Sequence, residues 1–317
     1  MRALLRTVMV ACLCASLMES SPIWWKRCDL LDMTHELATD SAVPPYADFV
    51  KHRFTLNELV DEITPTGYYL KYNSFCSIEH QGTHMDAPKH VLLPKDKEKA
   101  HTVEQVDLKS VIGEACVLDV PEEHRVAGSD YALTVSDLKE WERKNGPLHE
   151  DCFIVVRSGQ GAFWGQDRAY YGIPDGEEPA FDNMHWPSIS GEAAQWILKE
   201  RGMKAIGQDA ASFDVGSMTS NLTNYLTSVH VYVLGANKPG FENLANVDKL
   251  PARGATIVAL PIKIKAGSGA FSRVFAYGWA KDDPCRLESD NGSGGARQII
   301  SSVAALLVIV AAIVAAN

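Results

Sequence analysis

The sequence has no cluster of basic residues, and 40 acidic residues against 30 lysines and arginines give a net charge of −10. A nucleic-acid-binding surface needs a basic patch, so this charge balance excludes that class of partner. Internal repeats are also absent, which excludes a repeat architecture. The remaining composition, with 46% hydrophobic and 22% charged residues, is that of a globular protein long enough to bury a core without staples.

Long apolar runs are confined to the two ends of the chain. Residues 1–20 combine two arginines, a short apolar run and small residues, which predicts a signal peptide cleaved near Ser20. Residues 288–317 join a polar spacer to an apolar tail, which is typical of a glycosylphosphatidylinositol-attachment signal, with a single membrane-spanning anchor as the alternative. We therefore expect a mature domain over residues 21–287, outside the cell and tied to the membrane through the tail. The sequons for N-glycosylation begin at Asn221 and Asn291.

Cysteine is scarce and odd in number. The five cysteines that follow the predicted signal peptide are Cys28, Cys76, Cys116, Cys152 and Cys285. An odd count in an oxidising compartment leaves at least one thiol unpaired. Cys28 and Cys285 lie at opposite ends of the predicted domain and could staple its termini. Cys116 and Cys152 lie on predicted strands, where they are expected as buried thiols. Their spacing alone does not determine the pairing.

Short β-branched runs alternate with amphipathic stretches, which predicts an α/β domain. The predicted buried strands are Ala115–Val120, Phe153–Val156, Ala205–Gln208, Val229–Leu234 and Thr256–Ile262. The predicted helices are Leu138–Lys144, opened by Thr134 or Ser136, and Gly191–Arg201, capped by Ser190. The Pro- and Gly-rich stretch 159–187 between them is predicted to be a surface loop.

The densest group of metal-ligand residue types lies in one short segment. It contains His80, His84, Asp86 and His90. Imidazole and carboxylate groups are ligands for zinc and also suit manganese or iron. A glycine and a proline inside the segment disfavour a helix, so we place it at a strand end and tight loop, where His84 and Asp86 point the same way. Three histidines and one aspartate at this spacing favour a metal site over ordinary surface or core histidines.

Two further candidates lie far along the chain. His230 falls in an apolar predicted strand, and Glu242 follows after a turn that contains glycine and proline. A lone buried histidine is more often a hydrogen-bonded core residue than a metal ligand. Spacing alone therefore does not decide whether these two residues are ligands or structural residues. The sequence likewise does not decide whether Asp209 and Ser212 orient a metal ligand through a hydrogen bond or have only a structural role.

The segment His80-Gln-Gly-Thr-His84-Met-Asp86-Ala-Pro-Lys-His90 resembles the HxGTHxDxPxH signature of the cyclase family of metal-dependent hydrolases, which includes kynurenine formamidases and isatin hydrolases. Further matches begin at Asp32 (DMTH), Arg157 (RSG), Ser190 (SGEAAQWIL), Lys204 (KAIGQD), Leu250 (LPARG) and Leu260 (LPIKIKAGSG). The resemblance covers most of the mature chain. It implies a single domain of swivelling β/β/α fold with a mixed sheet, assembled as a homo-oligomer.

The resemblance also implies roles for the candidate residues. In binuclear zinc members the residues matching His80, His84 and Asp86 hold one ion. The aspartate bridges to a second ion, held by the residues matching His230 and Glu242, and the residue matching His90 is the acid/base. Other members are described with manganese, so one or two divalent ions, zinc or manganese, are expected.

The implied activity is hydrolysis of a C–N amide or lactam bond of a small molecule, aromatic ones included, as in isatin hydrolases. One alternative is a kynurenine formamidase acting on N-formylkynurenine, and another is a non-catalytic cell-surface binding protein that kept the fold. The sequence departs from the formamidases where Pro44 stands in place of an aromatic residue, with Tyr46 shifted nearby, and in the altered stretch that ends at Trp164. These departures favour the isatin-hydrolase-like activity over the formamidase.

Overall fold

A computed structural model describes residues 28–39, 41, 50–180, 183–219 and 224–287. The predicted signal peptide, the C-terminal tail, both sequons, Pro44 and Tyr46 lie outside these residues. Within the described ranges, no helix is both long and apolar enough to cross a membrane.

The central feature is a mixed sheet of eight strands. They are β1 (Leu31–Asp32), β4 (His84–Asp86), β5 (Ile112–Asp119), β7 (Cys152–Arg157), β9 (Ala205–Gln208), β10 (Gly240–Glu242), β11 (Thr256–Pro261) and β12 (Gly269–Tyr277). Their order is β1-β12-β11-β5-β7-β9-β10-β4, and β4 pairs back onto β12, which closes the sheet into a barrel. The run from β5 through β7 and β9 to β10 is parallel, and the other pairings are antiparallel. The predicted α/β fold with a mixed sheet is confirmed.

Alternation along the parallel strands divides the core in two. Ala115, Val117 and Phe153 belong to one buried cluster, which is lined by β4, β11 and β12. Their neighbours Cys116 and Ile154 belong to a second cluster, which packs against the helices. Because successive side chains of a strand point to opposite faces, strands that are buried on both faces read as continuous apolar runs. This is why the sequence pattern located these strands.

Five α-helices and seven short 3₁₀ helices connect the described strands. The α-helices are α1 (Val135–Asn145), α2 (Asp167–Tyr170), α3 (Gly191–Glu200), α4 (Gly216–Thr219) and α5 (Val229–Gly235). The 3₁₀ helices are Pro94–Asp96, Val103–Gln105, Leu108–Val111, Glu122–His124, Gln160–Phe163, Asn224–Thr227 and Val247–Lys249. The two helices predicted from the sequence are confirmed, because Thr134 closes a capping box at the start of α1 and the Ser190 side chain accepts a hydrogen bond from the Ala193 amide in α3.

Two sequence predictions of secondary structure were wrong. The stretch 159–187, predicted to be a surface loop, contains a 3₁₀ helix and helix α2, and its described part supplies a third buried cluster with Tyr170, Tyr171, Ile173, Met184 and Trp186. The run Val229–Leu234, predicted as a buried strand, forms helix α5, and the side chain of Ser228 caps it by accepting from the Val231 amide. The helix is buried on nearly all sides, so its sequence is apolar throughout and shows no helical period. Periodicity cannot separate a short buried helix from a buried strand.

Two smaller sheets lie outside the barrel. Strands β6 (Ala132–Leu133) and β8 (Ser188–Ile189) form a short parallel pair. Strands β2 (Thr55–Ile63) and β3 (Tyr69–Cys76) form a hairpin that is exposed along almost its whole length. Large apolar side chains at least half exposed on this hairpin are Leu56, Leu59, Ile63, Tyr68, Tyr69, Tyr72 and Phe75.

Two disulfides join four of the described cysteines. Cys28 pairs with Cys285, which staples the two ends of the described domain as the sequence suggested. Cys116 pairs with Cys152, so the expectation of two buried thiols was wrong. These two residues lie on β5 and β7, which are adjacent parallel strands, and this adjacency follows from the order of the sheet. The thiol of Cys76 is free and exposed on the hairpin.

Candidate metal centre

Strand β4 places two of the candidate ligands at the centre of the barrel wall. It pairs on one edge with β10, where His84 lies opposite Glu242, and on the other edge with β12, where Asp86 lies opposite Gly269. His84, Asp86 and Glu242 are all buried. Pairing on both edges leaves this short strand little freedom, so the positions of its side chains are set by the sheet.

His80 and His230 approach the same point from outside β4. The Nδ1 atom of His80 lies 2.7 Å from Oδ1 of Asp86. The Nε2 atom of His230, in the first turn of α5, lies 3.1 Å from Oδ2 of Asp86 and 3.3 Å from Oε1 of Glu242. The structure therefore brings together all five predicted ligands, although they span more than 160 residues of sequence.

Each of the three imidazoles commits one nitrogen to a partner on its outer side. His84 donates from Nδ1 to the Gly82 carbonyl at 2.9 Å. His230 donates from Nδ1 to the Asp214 carboxylate at 2.7 Å. The outer partner of His80 is the Ser268 hydroxyl, 3.0 Å from Nε2, and this hydroxyl gives its own proton to Glu79. The outer nitrogens thus carry the hydrogens, which fixes the tautomers.

The inner nitrogens of the three rings face two carboxylates. Nε2 of His84 lies 3.4 Å from both Asp86 and Glu242 and is buried without a hydrogen-bond partner among the described residues. A buried lone pair that faces carboxylate oxygens is unfavourable unless positive charge lies between them. Imidazole nitrogens and carboxylate oxygens are the donor set that zinc and manganese take. These residues fit a divalent metal ion.

The pKa values describe the same electrostatic field. Burial lowers the pKa of His84, but the Asp86 and Glu242 carboxylates outweigh burial and raise this pKa to about 9. Burial raises the pKa of Glu242, and the neighbouring Asp86 raises it further. Burial also acts to raise the pKa of Asp86, yet the surrounding imidazoles hold that pKa well below its usual range. The centre attracts positive charge, as a dication site requires.

His90 lies at the edge of this cluster. Its ring stacks on His80 with 3.9 Å between centroids, and its centroid lies 6.1 Å from that of His230. Burial lowers the pKa of His90 to about 3, so the ring is neutral at physiological pH. Within this cluster, two groups of side chains have ligand atoms within 4.8 Å of one another, namely His80 with His84 and Asp86, and His90 with Asp86 and His230. His90 is therefore placed both as a proton acceptor and as a competing ligand.

Asp209 and Ser212 do not touch the five candidate ligands among the described residues. The Asp209 carboxylate accepts hydrogen bonds from the Ser158 amide and hydroxyl and from the Gly159 amide, which orders the turn after β7. Ser212 accepts from the amide of Asp214. The orienting role considered for Asp209 and Ser212 is filled in the structure by other residues.

Those residues are Asp214, Ser268 and Glu79, none of which the sequence reading singled out. Asp214 holds the His230 ring and also accepts from the Val229 amide, so it helps to cap α5. The Glu79 carboxylate accepts from the amide and the hydroxyl of Ser268. The sequence contains one signal for these contacts, which is the acidic residue that directly precedes His80. The contact between Asp214 and His230 depends on α5 being a helix.

Comparisons with known proteins point to one family. The model of the cyclase family matches residues 31–215. An isatin hydrolase from Roseibium aggregatum is 30% identical over 261 residues, which are 78% of this chain and 91% of that protein. Isatin hydrolase A from Ralstonia solanacearum has a TM-score of 0.69 and 28% identity, and the match covers 84% of this chain and 96% of that one. Isatin hydrolase A from Labrenzia aggregata, solved with benzyl benzoate bound, has a TM-score of 0.69 and 27% identity, covering 83% of this chain and 98% of that one.

We predict that Gly269→Ala weakens metal binding. A Cβ atom at this position would lie 2.4 Å from Cε1 of His80, so the ring must move away from Asp86. We expect roughly 10-fold weaker binding or more, as for other losses of ligand orientation. The dissociation constant for zinc or manganese is measured by competition with a chromogenic chelator.

The matched control is Gly235→Ala at the end of α5, where the nearest atom to the added Cβ lies 3.8 Å away. This variant is expected to bind metal like the parent protein. Metal binding by Gly269→Ala that equals the parent's would show that His80 does not bind the ion.

Proposed function

The chain belongs to the cyclase family, and from that premise we propose that it is a metal-dependent hydrolase that opens a C–N amide or lactam bond of a small molecule. The observation that carries the proposal is the set of three imidazole nitrogens that face Asp86 and Glu242 inside the barrel wall. The matches to isatin hydrolases cover nearly the whole length of those proteins. We therefore propose that the substrate is a lactam fused to an aromatic ring.

Two features of the chain support the catalytic assignment, namely the candidate metal ligands and the neutral His90 ring. A dication held by His80, His84, Asp86, His230 and Glu242 would acidify water and polarise the carbonyl oxygen of the substrate. The neutral His90 ring accepts a proton from the attacking water as the oxygen bonds to the amide carbon. When the C–N bond breaks, His90 returns that proton to the leaving nitrogen, and the products are a carboxylate and an amine.

The supporting hydrogen bonds keep the ligands and the base in separate roles. The outer nitrogens of His80, His84 and His230 are held by protein groups, so these rings cannot rotate to exchange protons with substrate. His90 stacks on the His80 ring, and one of its nitrogens lies within 4.8 Å of ligand atoms of Asp86 and His230. A ring that is held by stacking can turn its nitrogens to a reacting group, which an acid/base must do.

We predict that His90→Ala retains its metal and loses turnover by about 100-fold to 10,000-fold, the usual contribution of general acid–base catalysis. Metal content is measured by mass spectrometry of the purified protein. Turnover is measured with isatin and with N-formylkynurenine, each with and without a chelator. His101→Ala is the control, because His101 is exposed.

The outcomes separate the competing readings. Loss of metal together with turnover in His90→Ala would identify His90 as a ligand. Cleavage of N-formylkynurenine in preference to isatin would favour an arylformamidase. A parent protein that holds metal and cleaves neither substrate would favour a binding protein that kept the fold.

We also propose that the protein is a homo-oligomer, with the β2–β3 hairpin as the contact surface. An isolated two-stranded hairpin is at best marginally stable in water. This one exposes seven large apolar side chains, and exposed apolar patches of more than a few hundred Å² typically mark interaction sites.

Sedimentation of the purified protein is expected to show a dimer or a larger species, and Leu59→Asp is expected to weaken this association. Leu108→Asp, at an exposed leucine outside the hairpin, is the control, and a monomeric parent protein would refute the proposal.

We propose a cell-surface location for this hydrolase. The two disulfides support it, because disulfides persist in oxidising compartments and are rare in the cytosol. The tail over residues 288–317 supplies the lipid-attachment signal. Phosphatidylinositol-specific phospholipase is expected to release the processed protein from intact cells that express the full chain. Protein that stays with the membrane after this treatment would favour a transmembrane anchor.

A further inference from the structure

The carbonyl of Gly82 holds the His84 ring and is itself held by a second residue. It accepts one hydrogen bond from Nδ1 of His84 at 2.9 Å and another from Nδ2 of Asn243 at 2.8 Å. A carbonyl oxygen has two lone pairs, and both are used here. Gly82 has a φ of 61°, which is the left-handed region that favours glycine. The direction of this carbonyl therefore depends on the glycine backbone and on Asn243.

Asn243 uses every polar group that it possesses. Its amide nitrogen donates to the Ala210 carbonyl at 3.0 Å, and its own carbonyl accepts from the Thr83 hydroxyl at 2.6 Å. Its side chain donates to Gly82 and accepts from the Tyr170 hydroxyl. The residue is buried and has a φ of 55°, a conformation that asparagine tolerates better than most residues. Asn243 thus bridges the chain beside His84 and the chain that follows the ligand Glu242.

Tyr170 holds the side-chain amide of Asn243 from the side opposite Gly82. Its hydroxyl donates to Oδ1 of Asn243, which leaves Nδ2 directed at the Gly82 carbonyl. The Tyr170 side chain is fully buried, with the rings of Trp164 and Tyr171 at centroid distances of 5.2 and 5.3 Å. A flipped amide would turn its oxygen towards the Gly82 carbonyl and its nitrogen towards the tyrosine hydroxyl. The Gly82 carbonyl can only accept, so it excludes the flipped amide, and the hydrogen bond from the Tyr170 hydroxyl to Oδ1 helps to hold the orientation that remains.

We propose that Asn243, oriented by Tyr170, is a positioning residue for the metal centre. It holds the Gly82 carbonyl where His84 needs it, so that Nε2 of His84 faces Asp86 and Glu242. It also fixes the backbone that leaves Glu242, so one buried amide sets the separation of ligands on two strands. This inference rests on the proposed metal centre and is independent of the substrate.

The test uses Co²⁺ as a spectroscopic probe of the purified protein. Tyr170→Phe removes one hydroxyl and keeps the packed ring, and Asn243→Gly removes the amide at a position whose positive φ suits glycine. We expect both variants to bind Co²⁺ about 10-fold to 100-fold more weakly, with Asn243→Gly the weaker of the two. We also expect the visible absorption bands of bound Co²⁺ to shift, because the His84 nitrogen moves relative to the ion.

Tyr131→Phe is the matched control. It also removes a tyrosine hydroxyl that forms a hydrogen bond, here 3.2 Å from Asp137 at the start of α1, away from the ligand strands. This variant is expected to keep the Co²⁺ affinity and spectrum of the parent protein. The thermal midpoint of every variant is recorded without metal, so that a loss of folding is separated from a loss of ligand geometry.

Two results would overturn the inference, and they differ from failure of the proposed function. If both variants keep the parent's Co²⁺ spectrum and bind within twofold of its affinity, Asn243 and Tyr170 only stabilise the fold. If Tyr170→Phe and Tyr131→Phe change the Co²⁺ affinity equally, the effect is not specific to this network. A parent protein that binds no Co²⁺ would refute the metal centre itself.

Discussion

The burial of two carboxylates against three imidazoles is the constraint on which the rest of the structure depends. Asp86 and Glu242 are buried, and among the described residues both form ion pairs with imidazoles. Unpaired buried charge is costly, so such a cluster persists only inside a rigid frame or around a cation. The frame is the closed barrel, in which β4 pairs on both edges and so fixes His84 and Asp86 opposite Glu242. The barrel and the site are therefore one feature of the fold.

Local sequence was sufficient for much of this architecture. Strand β9 has the bounds that its apolar run predicts, and α3 begins at the predicted cap. The ligands of the first motif could be found because His80, His84 and Asp86 lie within seven residues and need only a strand end to converge. The closure of the sheet and the exposed hairpin were not predicted. Both depend on which strands become neighbours, and pairing between distant strands leaves no local pattern.

The errors share a physical cause. His230 was placed on a strand because its neighbours are apolar on every side, although a serine before the run is a helix-capping residue. The partner of Cys116 could not be identified, because the approach of Cys152 follows from the order of β5 and β7 in the sheet. Asp214 was missed for the same reason, since its contact with His230 exists only when that residue begins a helix. In all three cases the correct assignment depended on contacts between residues that are distant in the sequence.

The outer partners of the three imidazoles differ in kind, and this difference bears on the chemistry of the centre. The partner of His230 is a carboxylate, that of His84 is a backbone carbonyl, and that of His80 is a hydroxyl backed by Glu79. A carboxylate partner raises the basicity of a ligand imidazole more than a neutral acceptor does. His230 is therefore the strongest electron donor of the three. An ion held by His80 and His84 would receive less electron density than one held by His230, and it would therefore be the stronger Lewis acid.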